Sequence, residues 1–148
     1  MKKVLIAIMA VLLLTGCGKS ASTNNLDMDA ASKSLDNEMK DMVVLEDKEL
    51  EAVYGLDLSL MDEYIIKSSS NRNGYLYALI KVSDDNKDKV QKQMTGLFDT
   101  LKSQSNLYSP EAVKVLDNKV ETSVGNYLIY LSYKDTDKAY DLVKENIK

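Results

Sequence analysis

The chain has 148 residues, 28% of them charged and 45% hydrophobic, with a formal net charge of −4, one Cys and neither His nor Trp. That length is one domain's worth and long enough for a buried core, while a single thiol rules out a disulfide within the chain. The acidic balance, with Arg72 as the one arginine, leaves no basic face for nucleic acid and no polybasic segment for a membrane surface.

Residues 1–3 (MKK) are a short basic segment, and residues 4–14 form an eleven-residue run with no charge or strongly polar side chain. This is the pattern of a signal peptide. A spanning helix needs about 20 apolar residues, whereas this run gives way to Gly16, Gly18 and Lys19. A core helix would alternate with polar positions at the 3.6-residue period, and this one is apolar all round.

The four residues Leu14, Thr15, Gly16 and Cys17 fill every place of a pattern that resembles the lipobox of bacterial lipoprotein signal peptides. The resemblance implies cleavage between Gly16 and Cys17 and alkylation of the Cys17 thiol with diacylglycerol. Cys17 then becomes the acylated first residue of a protein held on the extracytoplasmic side of the cell membrane. One acyl chain gives only marginal binding at about 0.8 kcal/mol per buried methylene, so two chains make a stable anchor. With Cys17 consumed by lipid, no thiolate remains as nucleophile or metal ligand. Loss of residues 1–16 removes Lys2 and Lys3, which takes the 19 basic residues to 17 against 23 acidic ones, a formal charge of −6.

Residues 17–26 read as the lipidated cysteine and a flexible tether, since GKSASTNN (18–25) is small, polar and without apolar periodicity. A single domain over 27–148 follows. Met28, Ala31, Leu35, Met39 and Met42 recur at helical spacing, and residues 47–54 repeat the style with Leu50, Val53 and Tyr54 on one side before Gly55 stops the helix. Residues 64–68 (YIIKS) predict a strand, 69–74 (SSNRNG) a turn and 75–82 (YLYALIKV) a second strand, together a hairpin. Ser83 and Asp84 offer a helix cap, and Val90, Met94, Leu97, Phe98 and Leu101 form the stripe of a long helix near 84–105. Ser109-Pro110-Glu111 opens a short helix, with Pro at the first helical position.

The plan then recurs, with strands at 118–124 and 127–133 around the Gly125-Asn126 turn and a helix at 136–147 striped by Ala139, Tyr140, Val143 and Ile147. The expectation is an α+β fold in which an antiparallel sheet of about four strands packs on amphipathic helices. The segments NGYLYALIKVSDDNKDKV and VGNYLIYLSYKDTDKAYDLV are alike enough to suggest two strand-strand-helix repeats, with convergence as the alternative.

EAVYGLDLSLMDEYIIKSSS, SDDNKDKV and above all LYSPEAVKVLDNKVETSVGNYLIYLS resemble the domain-of-unknown-function family numbered 4358, a group of small bacterial lipoproteins, over roughly residues 29–147. That family has no assigned activity, so the resemblance carries over no catalytic residue.

The chemistry of the residues points the same way. Without His, the usual general base near neutral pH and the commonest metal ligand are gone. No G-x-S-x-G or S-x-x-K presents a nucleophile. Asp84-x-Asn86-x-Asp88 imitates the start of a calcium loop, but Lys89 and Thr95 fall at its sixth and twelfth positions, and a solvated helix start explains it better. No catalytic, metal or cofactor site is expected, and the chain reads as a binding module rather than an enzyme. Its partner would be a protein or envelope component, and the alternative is an envelope hydrolase using only carboxylates and tyrosines.

Nine tyrosines stand against one Phe. Leu76, Ala78, Ile80 and Val82 make one apolar strand face, so Tyr75 and Tyr77 share the other. An open face bearing Tyr75 and Tyr77 would suit recognition. The favoured reading is that the N-terminal helices cover it and that these tyrosines are ordinary strand formers.

Overall fold

A computed structural model describes residues 24–148. The signal segment 1–16, the cleavage site at Gly16 and Cys17, the lipidation site Cys17 and most of the tether 17–26 lie outside the described residues.

Helix α1 (Met28–Glu38) begins where the Asp27 carboxylate accepts the Ala30 N–H at 3.1 Å, and it buries Met28, Ala31 and Leu35. The helical spacing that runs on to Met42 is not followed. The helix ends at Met39, Asp41 turns left-handed at φ +63°, and Met42–Val44 becomes strand β1. Two β-branched valines find a pairing partner in residues 67–69, which another helical turn would not offer, and Asp tolerates the left-handed turn better than most residues.

Helix α2 (Asp47–Ala52) buries Leu50, whereas Val53 is left exposed, and a 3-10 turn follows at Leu58–Leu60. Strands β2 (Glu63–Ser69) and β3 (Leu76–Lys81) form the first hairpin, and α3 (Asp84–Asn106) buries Val90, Met94, Leu97 and Phe98. The short helix α4 (Pro110–Asp117) is capped by Ser109, whose Oγ accepts the Ala112 N–H at 3.3 Å. Strands β4 (Val120–Val124) and β5 (Tyr127–Ser132) form the second hairpin, and α5 (Thr136–Lys144) closes the domain. Helix α5 is shorter than the 136–147 stripe predicts, because Ile147 leaves it to bridge Leu26.

All strand pairs are antiparallel, in the order β1-β2-β3-β5-β4. The class is α+β as expected, with five strands rather than four because β1 joins the edge.

Strand alternation divides the core in two. Leu76, Ala78, Ile80, Leu128 and Tyr130 pack with Leu50, Leu116 and the α3 stripe. On the other face, Tyr77, Leu79, Ile129 and Leu131 pack with Leu35 of α1 and with Ala139 and Val143 of α5. A strand-strand-helix unit therefore occurs twice, but the helices cover opposite faces. The last core residue before α3 is Val82, on the first face, and before α5 it is Tyr133, on the second. Each helix follows the face from which its strand ends.

The two ends of the described chain meet. Asn25 N–H donates to the Lys148 carbonyl at 3.0 Å, Lys148 N–H returns a bond to Asn25 at 2.8 Å, and Asp27 N–H reaches Asn146 at 3.0 Å. This clasp lies beside the Tyr127 hydroxyl, which donates to Asn25 Oδ1 at 2.5 Å. It marks the end of the sheet where Glu63, Lys81 and Tyr127 align, opposite the end where Ser68, Leu76 and Ser132 align.

Candidate functional site

The two tyrosines singled out from the sequence have different surroundings. Tyr77 lies wholly buried beneath α1, in line with the covered-face reading. Its hydroxyl donates to Asp36 Oδ1 at 2.8 Å. Since the phenol's one proton is used there, the Ser32 hydroxyl is the donor in its 2.7 Å bond to the Tyr77 oxygen. Lys67 completes the group, 2.6 Å from Asp36 Oδ2. Burial pushes the Tyr77 phenol well above its ordinary pKa, and the Asp36 carboxylate adds to this while the Ser32 bond opposes it. Tyr77 fastens α1 to the sheet and is no part of an open surface.

Tyr133 makes a second fastening of the same kind. Its hydroxyl donates to Glu38 Oε1 at 3.1 Å, and Lys138 Nζ lies 2.7 Å from Glu38 Oε2. Burial first, and then the Glu38 bond, push the Tyr133 phenol up to about 12. The Lys138 bond holds the Glu38 carboxyl below its usual range. Tyr75 contributes its ring here, edge-on to Tyr133 with centroids 4.7 Å apart, and the same residue lines an open groove at the end of the sheet.

That groove has a volume of about 720 Å³, within the range of small-ligand and peptide sites. One wall is β1 with Tyr54 behind it, the end wall is the 69–74 turn, and the far wall is Gln104 and Tyr108 at the end of α3. Leu76, Leu101 and Leu116 form the apolar floor. Val43 is 47% exposed, Val44 58% and Tyr108 81%, and Leu107 beside it is 76% exposed. Large apolar side chains gathered around one opening mark an interaction site better than scattered ones do.

The end wall is firmly built. Asn71 Nδ2 donates to Asp41 Oδ2 at 2.9 Å, Ser70 N–H donates to the Asp41 carbonyl at 3.0 Å, and Asn73 Oδ1 accepts the Tyr75 N–H at 3.0 Å. Arg72 holds a left-handed φ of +53°, a conformation that costs a non-glycine residue roughly 1–2 kcal/mol. Gly74 has φ +83°, and a Cβ there would sit 2.5 Å from the Ala112 carbonyl oxygen. The turn therefore rests directly on the first turn of α4.

A second recess, about 470 Å³, lies by the clasp. Its carboxylates are largely committed. Asp27 caps α1 and lies 3.4 Å from Lys148 Nζ, and Glu63 is 2.9 Å from Lys81 Nζ. The Ala30 N–H bond, followed by Lys148, lowers the Asp27 pKa, and the Glu63 bond raises that of Lys81.

The groove residues Val43, Val44, Tyr54 and Tyr108 do not stand out in the sequence as a site. Tyr54 sits within the predicted stripe of residues 47–54, and the one signal of the other three is apolar character just outside the helix stripes, as in LYSPE. No described helix is long and apolar enough to cross a membrane. No curated protein and no solved structure matches the chain. The family profile described as Domain of unknown function (DUF4358) matches residues 33–133, from the middle of α1 through the end of β5, and so takes in every strand and the whole groove. A match over more than half of the chain that embraces the entire sheet places it by descent: the chain belongs to the DUF4358 family.

Proposed function

We propose that this protein is a binding module held to the outer side of the cell membrane by diacylglycerol on Cys17, and that the groove beside β1 receives its partner, a protein or envelope component. The observation that carries the reading is positional. The described chain enters at the clasp, next to Gly125 and Tyr127, while the groove opens by Ser69 and Leu76 at the other end of the sheet. An anchor on the cysteine a few residues before Asn24 leaves that opening turned away from the membrane. The six residues 18–23 would add at most about 20 Å of reach even if fully extended.

The reading as a module rather than a hydrolase rests on the lining. Glu49 is the one carboxylate there, so the groove lacks the carboxylate pair that glycoside hydrolysis uses.

Two measurements test this reading. Metabolic labelling with a fatty acid should mark the wild type and leave Cys17→Ala unmarked and uncleaved. A photo-crosslinking side chain at position 108 should capture a partner on intact cells, and one at position 144 beside the clasp should not. An unlabelled wild type would defeat the anchor, and equal capture at both positions would defeat the groove.

A further inference from the structure

β1 is an edge strand, with β2 on one side and no strand of the described residues on the other. Leu45 N–H bonds the Ile66 carbonyl and Ser70 N–H bonds the Asp41 carbonyl, both at 3.0 Å. The antiparallel alternation then points the main-chain groups of Met42 and Val44 away from β2. Natural edges are usually blunted by Lys, Pro or a bulge. β1 presents Met-Val-Val, with both valines about half exposed, alongside an apolar groove floor.

The electrostatic surroundings select what can pair there. From 40 to 51 the chain carries Asp41, Glu46, Asp47, Glu49 and Glu51, all exposed, against Lys40 and Lys48, and Arg72 is the one cation lining the groove. None of the five carboxylates belongs to an ion pair among the described residues. The other edge, β4, contrasts with it, since Glu121 there is 3.3 Å from Lys119 Nζ. An unpaired acidic margin disfavours a second copy, which would bring like charges together, and favours a cationic chain.

We infer that β1 docks an extended polypeptide segment of apolar and basic residues, which adds to the sheet as a sixth strand and sets its apolar side chains into the groove. This rests on the groove being the binding site and goes further in naming the occupant. Main-chain bonds to Met42 and Val44 supply register, the Leu101 and Leu116 floor takes alternate side chains, and the 41–51 carboxylates select for lysine and arginine.

The test uses the purified full chain in mild detergent and two fluorescein-labelled nonapeptides, one alternating valine with lysine and the other valine with glutamate. The lysine peptide should bind at least about tenfold more tightly and should weaken as salt is raised. Its binding should slow hydrogen exchange at the Met42 and Val44 amides. Val44→Pro removes an outward N–H without touching the β2 ladder, and Val43→Lys, opposite Ser68 on β2, sets a cation against the basic segment. Each should weaken binding by about tenfold with the melting temperature retained.

Equal affinity for the two peptides, or unchanged exchange at Met42 and Val44, overturns strand addition. Capture at position 108 would then still stand on its own, which separates this failure from failure of the groove. A concentration-dependent dimer whose Met42 and Val44 amides are protected before any peptide is added would show that the edge serves a second copy, and would overturn the proposal too.

Discussion

Tyr77→Phe deletes one oxygen atom and leaves the ring, so it isolates the fastening of α1 from the packing beneath it. Two bonds are lost, one given to the charged Asp36 carboxylate, a class worth about 1.5–3 kcal/mol, and one accepted from the Ser32 hydroxyl, which can turn to a main-chain carbonyl of its own helix instead. Asp36 keeps Lys67 at 2.6 Å and is not stranded, which places the cost near the middle of that range, about 2 kcal/mol. For a domain of this size each kcal/mol moves the midpoint by about 3–5 °C, so the variant should melt about 6–10 °C below the wild type. Thermal melts followed by circular dichroism, with urea titration as a second measure, read this directly. Tyr75→Phe is the control, since Tyr75 contributes ring packing against Tyr133, and it should stay within about 0.5 kcal/mol of the wild type. Truncating both to Ser empties the space of two rings and should cost several kcal/mol. A Tyr77→Phe variant that melts within a degree of the wild type, or a Tyr75→Phe variant that falls as far, would refute this account of how α1 is held.

Leu97→Asp should abolish the cooperative melt, because Leu97 is wholly buried in the α3 core and an unpaired buried charge costs several kcal/mol or more; an ordinary melting curve would count against that placement. Gly74→Ala should lower stability by about 1–3 kcal/mol or more in urea titration, since it strains a φ of +83° and drives a methyl to within 2.5 Å of the Ala112 oxygen. The midpoint should also fall as the pH rises from 10 towards 12, because the Tyr133 phenol is raised from 10.0 to about 12 on folding. The folded state then holds its proton more tightly, so this stability is complete below the unfolded value and is lost through the folded one. A flat midpoint across that window would show that Tyr133 is not held as described.

The two central strands were legible as short β-branched and aromatic runs bounded by turn residues, although burial on both faces leaves them without polar alternation. Leu76, Ala78 and Ile80 against Tyr77 and Leu79 spell out β3, and the Gly125-Asn126 turn spells out the second hairpin. The end of α1 was not, because Met42 fits the helical stripe while Asp41 turns the backbone away before it. The passage of α5 to the face opposite α3 hangs on whether the strand ends on Val82 or on Tyr133, one step of alternation that local propensity does not weigh. The groove was illegible for a deeper reason. Val44, Arg72, Leu101 and Tyr108 are distant in sequence, and only the folded sheet and the length of α3 bring them to one opening.

The clasp between Asn25 and Lys148 has a mechanical meaning. Under the proposed anchoring, drag on a captured partner would pass along the sheet to the tether, and the first bonds it would meet are the two between Asn25 and Lys148 and the one from Asp27 to Asn146. These hold the entering strand against the closing one, so tension is delivered to the body of the domain and not to the first turn of α1. Trimming the chain after residue 145 would remove that restraint, and pulling on the tether would then peel α1 away turn by turn, with the Tyr77–Asp36 and Tyr133–Glu38 bonds as the next points of resistance.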